Sequence, residues 1–290
     1  MVPIKSVCAV FVTYHPSPAF LENIRTAREQ VSSIIVVDNG SSEDAEAYFR
    51  ELEAWEHCKV IRNQQNLGIA AALNRGIAYA LDASCDWVVT FDQDSMISAG
   101  FIAKMLDTYE HDLMPEEIAI LAPTYVDRES GVVGRLMRTA SGEILTTMTS
   151  GSMMPANIIR MVGPFDENLY MDYVDIDFSL RVRRKGLRIV QSTAVLLHSL
   201  GRTTYHSIAG LRYGATNHTS ARRFYITRNR CKLLMRNATD WAWAWREFRA
   251  MLFETVKILL VEDDKVAKIR AMASGISEAL RGKVGKQVEL

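Results

Sequence analysis

Asp92 and Asp94 stand two residues apart at the end of the run Trp87-Val-Val-Thr-Phe91. Along an extended strand alternate side chains share a face, so both carboxylates can point the same way. Carboxylates that close repel unless a hard cation joins them. Mg2+ or Mn2+, held by one or two carboxylates plus substrate phosphates, is such a cation. A capping turn competes with this reading, because Asp94-Ser95 precedes an apolar stretch. The motif's place at the end of a fourth strand favours the metal. His198 ends another apolar run. It becomes a third ligand if the fold brings it beside Asp92 and Asp94.

A second acidic group, Asp172-x-x-Asp175-x-Asp177, falls where a helix is expected to begin. A general base for a hydroxyl must be a carboxylate within hydrogen-bond reach of it, and a helix's first turn favours negative charge. Asp172 reads as the cap. Asp175 and Asp177 are separated by about 200° around a helix, so they cannot both face one ligand. One is expected to be catalytic and the other structural, paired with Arg181 at i+4. Asp38 ends a second strand and reads equally well as a contact to a base or ribose and as an Asx turn into Asn39-Gly40. Thr13, ending the first strand, is comparable.

The elements that carry these residues alternate. Residues 7–12 and 34–37 are apolar on both faces, as strands buried in a parallel sheet are. Phe20, Ile24 and Ala27 recur at helical spacing between them. A third strand over 59–62 leads to Asn66-Leu67-Gly68, and a helix follows with Ala70, Leu73, Ile77 and Leu81 on one stripe. The fourth strand is 87–91. Further strands are expected at 118–122, 144–148 and 187–197, with a helix from near Asp172 to Lys185 ended by Gly186. Polar residues collect at strand C-terminal ends, where open α/β sheets bind ligands. The G-x-G-x-x-G fingerprint and the Walker lysine loop are absent, which disfavours a dinucleotide enzyme or P-loop ATPase.

The 290 residues are 48% apolar and 23% charged, enough for a large core. A formal net charge of zero conceals a split. Residues 1–180 carry 12 basic and 26 acidic side chains, and residues 181–290 carry 22 and 8. The second part should meet something anionic. Arg222, Arg223, Arg228, Arg230, Lys232 and Arg236 cluster there. A diphosphate or anionic lipid is the economical partner, and the acidic first half argues against nucleic acid. Residues 202–217 read as a polar loop, 219–236 as a basic helix and 241–261 as an amphipathic helix. In the last, Trp241, Trp245, Phe248, Leu252, Val256 and Leu259 form a stripe flanked by Arg246, Arg249 and Lys257. A membrane interface suits this stripe, and so does packing on its own domain or on the partner of a homodimer. Cys8, Cys58, Cys85 and Cys231 are scattered, so a disulfide scaffold or zinc ribbon is not expected and a reducing cytoplasm fits. Neither a signal peptide nor a transmembrane helix is expected.

Five segments in order, Val10-Phe-Val-Thr-Tyr-His15, Ile35-Val-Val-Asp-Asn-Gly-Ser41, Asn66-Leu-Gly-Ile-Ala70, Phe91-Asp-Gln-Asp94 and Tyr173-Val-Asp-Ile-Asp-Phe178, resemble glycosyltransferase family 2 over roughly residues 7–200. The wording of 66–76 and 91–94 is similar to bacterial dTDP-rhamnose-dependent rhamnosyltransferases of cell-surface polysaccharide assembly. The resemblance implies an inverting enzyme of GT-A fold, a Rossmann-like α/β/α sandwich with a mainly parallel sheet. Catalytic residues 1–200 would divide into a nucleotide-sugar half to about residue 100 and an acceptor half, followed by a helical region, 201–290. It implies that Thr13 and Asp38 contact the base and that Asn66, Gly68, Asn74 and Gln93 lie along the nucleotide-sugar pocket. Asp92 and Asp94 would handle Mg2+ or Mn2+ and the diphosphate, with His198 as third ligand. Asp175 matches the general base, although Val174 replaces the glutamate usual before it. Arg223 and Arg228 would meet a diphosphate or the acceptor. The expected partners are a dTDP-sugar, a saccharide or lipid-linked saccharide acceptor, and, through the C-terminal region, an anionic membrane surface on the cytoplasmic side. A sugar-phosphate nucleotidyltransferase would carry a Gly-rich basic loop where Thr13-Tyr-His-Pro-Ser-Pro18 stands. A membrane-peripheral scaffold would leave Asp92, Asp94 and Asp175 without a purpose.

Overall fold

The computed structural model describes residues 5–198, 204–208, 211–215, 217–238 and 240–288. Two compact units emerge. One is Met1–Glu167 with Val174–Ser199, and the other is Asn168–Tyr173 with Leu200–Leu290. The boundary expected near residue 200 falls beside residues outside the described set.

In the first unit the apolar runs become the expected strands β1 (Val7–Thr13), β2 (Ser33–Asp38), β3 (Cys58–Arg62) and β4 (Trp87–Asp92). Helices α1 (Ala19–Arg28), α2 (Glu46–Glu53) and α3 (Ile69–Asp82) connect them. Then come β5 (Met96–Ile97), α4 (Phe101–Glu110), β6 (Ile118–Asp127), β7 (Met137–Arg138), β8 (Ile144–Thr146), β9 (Met153–Pro155), α5 (Ala156–Val162), α6 (Val174–Arg184) and β10 (Arg188–His198). The main sheet runs β3-β2-β1-β4-β9-β6-β10-β5. Its neighbours are parallel except that β9 is antiparallel to β4 and β6, and β5 to β10. Val7, Ala9 and Phe11 pack with Phe20 and Ile24 of α1, Phe49 of α2 and Phe101 of α4. On the other face Gly76 of α3 closes on Val10 and Val37. Helices thus cover both faces, which is why the strands are apolar on both.

Several local expectations are corrected. The strand expected at 144–148 is only three residues long, because Thr147 to Ser152 turn away to form part of the site. Asp172 does not cap α6. It has φ +52°, Tyr173 has φ +66°, and the helix starts at Val174. The scattered cysteines include one disulfide, Cys8–Cys85, which β1 and the turn before β4 bring together.

The second unit holds the hairpin β11 (Thr204–Ile208) and β12 (Leu211–Ala215), where the sequence reads as a polar loop; the remaining residues of that loop up to 216 lie outside the described set. Three helices follow: α7 (Ser220–Arg236), α8 (Trp241–Val261) and α9 (Lys265–Leu280). Of the α7 arginines expected at an anion, Arg223, Arg228 and Arg230 are buried, whereas Arg222 and Arg236 are exposed. Arg228 is 0% exposed and donates to the carbonyl oxygens of Leu169 (2.9 Å) and Gly285 (2.6 Å). Arg223 pairs with Glu262 at 2.6 Å, and Lys268 reaches the same carboxylate at 3.1 Å. Arg230 bonds Glu254 at 2.9 Å and the hydroxyl of Tyr173. Arg223 and Arg228, expected at a diphosphate or the acceptor, are instead buried and bound to carboxylates and carbonyls of the protein itself. Asn229 adds three hydrogen bonds, to the carbonyls of Leu169, Met171 and Asp172, and Arg222 grips the Asp172 carboxylate at 3.0 Å. The sequence shows a run of cations; the fold uses most of them as internal ties.

Helices α7 and α9 meet at Gly275, where an added Cβ would lie 2.7 Å from the carbonyl oxygen of Phe224 and 3.1 Å from the amide nitrogen of Arg228. Backbone atoms cannot swing aside. Gly275→Ala is expected to cost about 1–3 kcal/mol through overpacking, measured as a lower midpoint in denaturant unfolding.

Candidate active site

Parallel pairing sets the first part of the site. Thr13 lies opposite Asp38, and Val12 opposite Asp92, so three adjacent strands end together. At this rim the Gln93 side-chain carbonyl accepts from Thr13 Oγ1 (2.8 Å) and the Tyr14 amide (2.9 Å). Thr13 is buried, and Gln93 holds it. Asp38 is buried as well and accepts from the backbone amide and hydroxyl of Ser41. The carboxylate thus spans the Asn39-Gly40 turn, but it bonds three residues on, at Ser41, where an Asx turn bonds two residues on. Gly40, with φ +87°, passes so close to Gln65 that an added Cβ would lie 2.5 Å from its carbonyl carbon.

Next to this turn is an asparagine network that the sequence reading passed over. Asn39 donates to Asn66 Oδ1 at 3.0 Å, and its own Oδ1 accepts from Asn63 (2.9 Å) and from the Leu67 amide (3.0 Å). Asn66 Oδ1 also accepts from the Gly68 amide at 2.9 Å, and Arg75 donates to Asn63. The Asn-Gly-Ser and Asn-Gln-Gln-Asn spacing was the available signal; only the pairing of β2 with β3 reveals that the two turns face each other. Asn74 is turned elsewhere. It brackets Phe165, donating to its carbonyl (3.0 Å) and accepting from its amide (2.9 Å), and reaches Glu167 at 2.8 Å. It secures the Gly163-Pro164-Phe165 turn.

The acidic centre depends on the last strands. β5 pairs antiparallel with β10, Met96 opposite Leu197, and this carries His198 to the Asp94-Ser95 turn. Ligand atoms of Asp92, Asp94 and His198 all lie within 4.8 Å of one another. His198 Nδ1 is 3.6 Å from Asp94 Oδ1 and 2.9 Å from Ser95 Oγ. The Asp94 side chain is 47% exposed and that of His198 13%. Two carboxylates and one imidazole, open to solvent on one side, make a donor set that fits Mn2+ or Mg2+ with positions left for phosphate oxygens. Of the candidates, this is the group the fold assembles most directly.

Asp175 occupies the first turn of α6, and the Ile176 amide donates to its Oδ1 at 2.8 Å. Asp177 is buried and bonded to Arg181 Nε at 2.8 Å, as the i+4 spacing predicts. Asp175 instead lines a small cavity with Thr147, Met148, Thr149, Ser152 and Phe178. The same 147–152 segment reaches the acidic centre, because Ser150 Oγ accepts from the Asp92 amide (3.1 Å) and contacts Ser95 Oγ (2.6 Å). Tyr125 lies beneath both. Its hydroxyl meets Thr147 Oγ1 at 2.9 Å. Burial above all, and then the charges of Asp175 and Asp92, hold its phenol above the ordinary tyrosine range. The 147–152 segment thus touches both the Asp175 cavity and the acidic centre. The sequence reading missed Tyr125 and Ser150. Neither sits in a motif, and only the hydrogen bond from the Tyr125 hydroxyl to the Ser150 carbonyl (3.2 Å) joins them.

A family profile described as Glycosyl transferase family 2 matches residues 8–173. The chain is 27% identical over 298 aligned residues to a dTDP-rhamnosyl transferase, RfbF, of Shigella flexneri, spanning 97% of each. It is 22% identical over 183 residues to the poly-beta-1,6-N-acetyl-D-glucosamine synthase of Staphylococcus aureus, covering 58% of this chain and 43% of that one. Among solved structures it resembles GalNAc-T7 crystallised with UDP, GalNAc and Mn2+ (TM-score 0.61, 11% identity, 97% of this chain and 57% of that one). It also resembles TarS residues 1–349 of S. aureus with UDP-GlcNAc (TM-score 0.56, 12% identity, 96% and 74%). These structural likenesses establish the GT-A fold.

Proposed function

The chain belongs to glycosyl transferase family 2, and from that premise we propose that it is an inverting rhamnosyltransferase. It moves L-rhamnose from dTDP-rhamnose to a saccharide acceptor carried on a polyprenyl diphosphate, in O-antigen or other cell-surface polysaccharide assembly. The observation that carries this reading is the alignment with a dTDP-rhamnosyl transferase over 97% of both chains, C-terminal region included. The enzyme then works in the cytoplasm, on the periphery of the inner membrane whose lipid holds its acceptor.

Thr13, Asp38, Asn66 and Gly68 form the donor wall at the ends of β1 and β2, with Gln93 fixing Thr13 and Asn74 bracing the turn at Phe165. Asp92, Asp94 and His198 would hold Mn2+ or Mg2+, which when bound offsets the charge on the diphosphate. Asp175 accepts the proton of the acceptor hydroxyl as that oxygen bonds to the anomeric carbon, and the nucleoside diphosphate departs from the opposite face. One displacement inverts the stereochemistry and leaves no covalent bond to the enzyme. The 147–152 segment, which lines the Asp175 cavity and bonds the Asp92 amide, supports this division of roles.

Calorimetric titration of dTDP-rhamnose against UDP- and GDP-sugars, with and without Mn2+, tests the donor. Preference for the dTDP-sugar by at least about tenfold, roughly 1.4 kcal/mol, is the expected result. Tighter binding of a UDP- or GDP-sugar would reassign the donor within the family.

A further inference from the structure

Helix α8 is mounted inside out. At about 100° per residue, Trp241, Trp245, Phe248, Leu252, Val256 and Leu259 fall within an arc of roughly 80°. All six are exposed, Trp241 by 77% and Leu259 by 52%, and Phe253 and Leu260 extend the same side. The two carboxylates of the helix lie on the opposite side. Glu247 is buried against Arg230 at 3.3 Å, and Glu254 meets Arg230 at 2.9 Å. Trp243 and Ile258 are buried with them. A helix on a water-facing surface normally turns its apolar stripe inward and its charges outward. Here the acids are drawn in by the buried cations of α7, and the aromatic and aliphatic stripe is what remains outside.

We propose that this stripe is a membrane-docking surface, lying in the plane of the headgroup region of an anionic bilayer. Charge decides the partner. With Glu247 and Glu254 turned toward α7, the charged side chains bordering the exposed stripe of α8 are basic: Arg249, which is exposed, and Lys257, half-buried over the Phe253 ring, while Arg246 lies beside Glu247 at 3.7 Å. Aromatic residues inserted at the apolar–polar border, with Arg and Lys beside them, match an anionic lipid surface. A second copy would set the same cations against each other. Among the described residues no helix is long and apolar enough to cross a membrane, so α8 lies along the surface rather than through it.

The inference stands on α8 and is independent of which nucleotide-sugar is the donor. The test is co-sedimentation of the full chain with vesicles of phosphatidylglycerol and phosphatidylethanolamine, and with vesicles of phosphatidylcholine alone. The wild type should bind the anionic vesicles at least about tenfold more strongly than the neutral ones, with the fluorescence of Trp241 and Trp245 shifting to the blue. The double substitution Trp245→Glu and Leu252→Glu, on exposed positions that keep the helical circular dichroism intact, should reduce that binding by about two orders of magnitude. Wild-type protein that stays in the supernatant, or a double variant that pellets as well as the wild type, overturns the proposal. So does a lipid-free dimer in equilibrium sedimentation that the double substitution dissociates, which would assign the stripe to a second copy.

Discussion

Asp175→Asn should lower turnover by roughly 10²–10⁴ while the fold and donor binding persist, because removing a general base costs that much and amide and carboxylate have the same shape. Asp175 lines the cavity beside Thr149 and Ser152 and already has a fixed orientation from the Ile176 amide. The companion substitution Asp177→Asn separates the two aspartates. Asp177 is buried on Arg181, which also donates to the carbonyls of Val162 and Pro164, so its loss should appear as reduced thermal stability with turnover per folded molecule little changed. Initial rates at saturating donor, set beside unfolding curves of both variants, provide the comparison. An Asp175→Asn enzyme with near-normal turnover removes Asp175 from the mechanism.

Asp94→Ala should weaken Mn2+ binding measured by calorimetry and lower turnover by about 10²–10³, the range expected when charge stabilisation at a developing anion is lost. Asp94 is the better target of the acidic pair. Its side chain is 47% exposed and sits 3.6 Å from His198, whereas the backbone amide of Asp92 is tied to Ser150. Chelation of the wild type should have the same effect, reversed by adding Mn2+ back. Full turnover in chelator would show that Asp92, Asp94 and His198 hold no ion needed for the reaction.

Much of this arrangement was legible in the sequence, for a physical reason. Strands buried on both faces need unbroken apolar runs, so β1, β2 and β4 announce themselves, and the residues that end them must lie at the rim. Thr13, Asp38 and Asp92 are readable on that ground. The 3.6-residue period likewise separates Asp175 from Asp177. His198 needed the fold, because only the antiparallel pairing of β5 with β10 brings residues 94 and 198 together. Tyr125 and the Asn39–Asn63–Asn66 network were hidden for the same reason: a hydrogen bond between distant turns leaves no period in the sequence. Arg223 and Arg228 misled because a charge count carries no information on burial. Their partners Glu262 and the backbone of Leu169 lie 39 and 59 residues away in the chain.

The six residues Asn168–Tyr173 group with the helical region although they interrupt the catalytic unit's sequence just before Asp175. Tyr170, Asp172 and Tyr173 there hold left-handed backbone angles that non-glycine residues adopt only under outside constraint. Asn229 and Arg228 supply that constraint through the carbonyls of Leu169, Met171 and Asp172. Deleting everything after residue 200 would therefore remove the donors that hold this wound stretch of chain directly upstream of Asp175. The terminal helices splint a stretch of chain that the family profile, ending at residue 173, already includes.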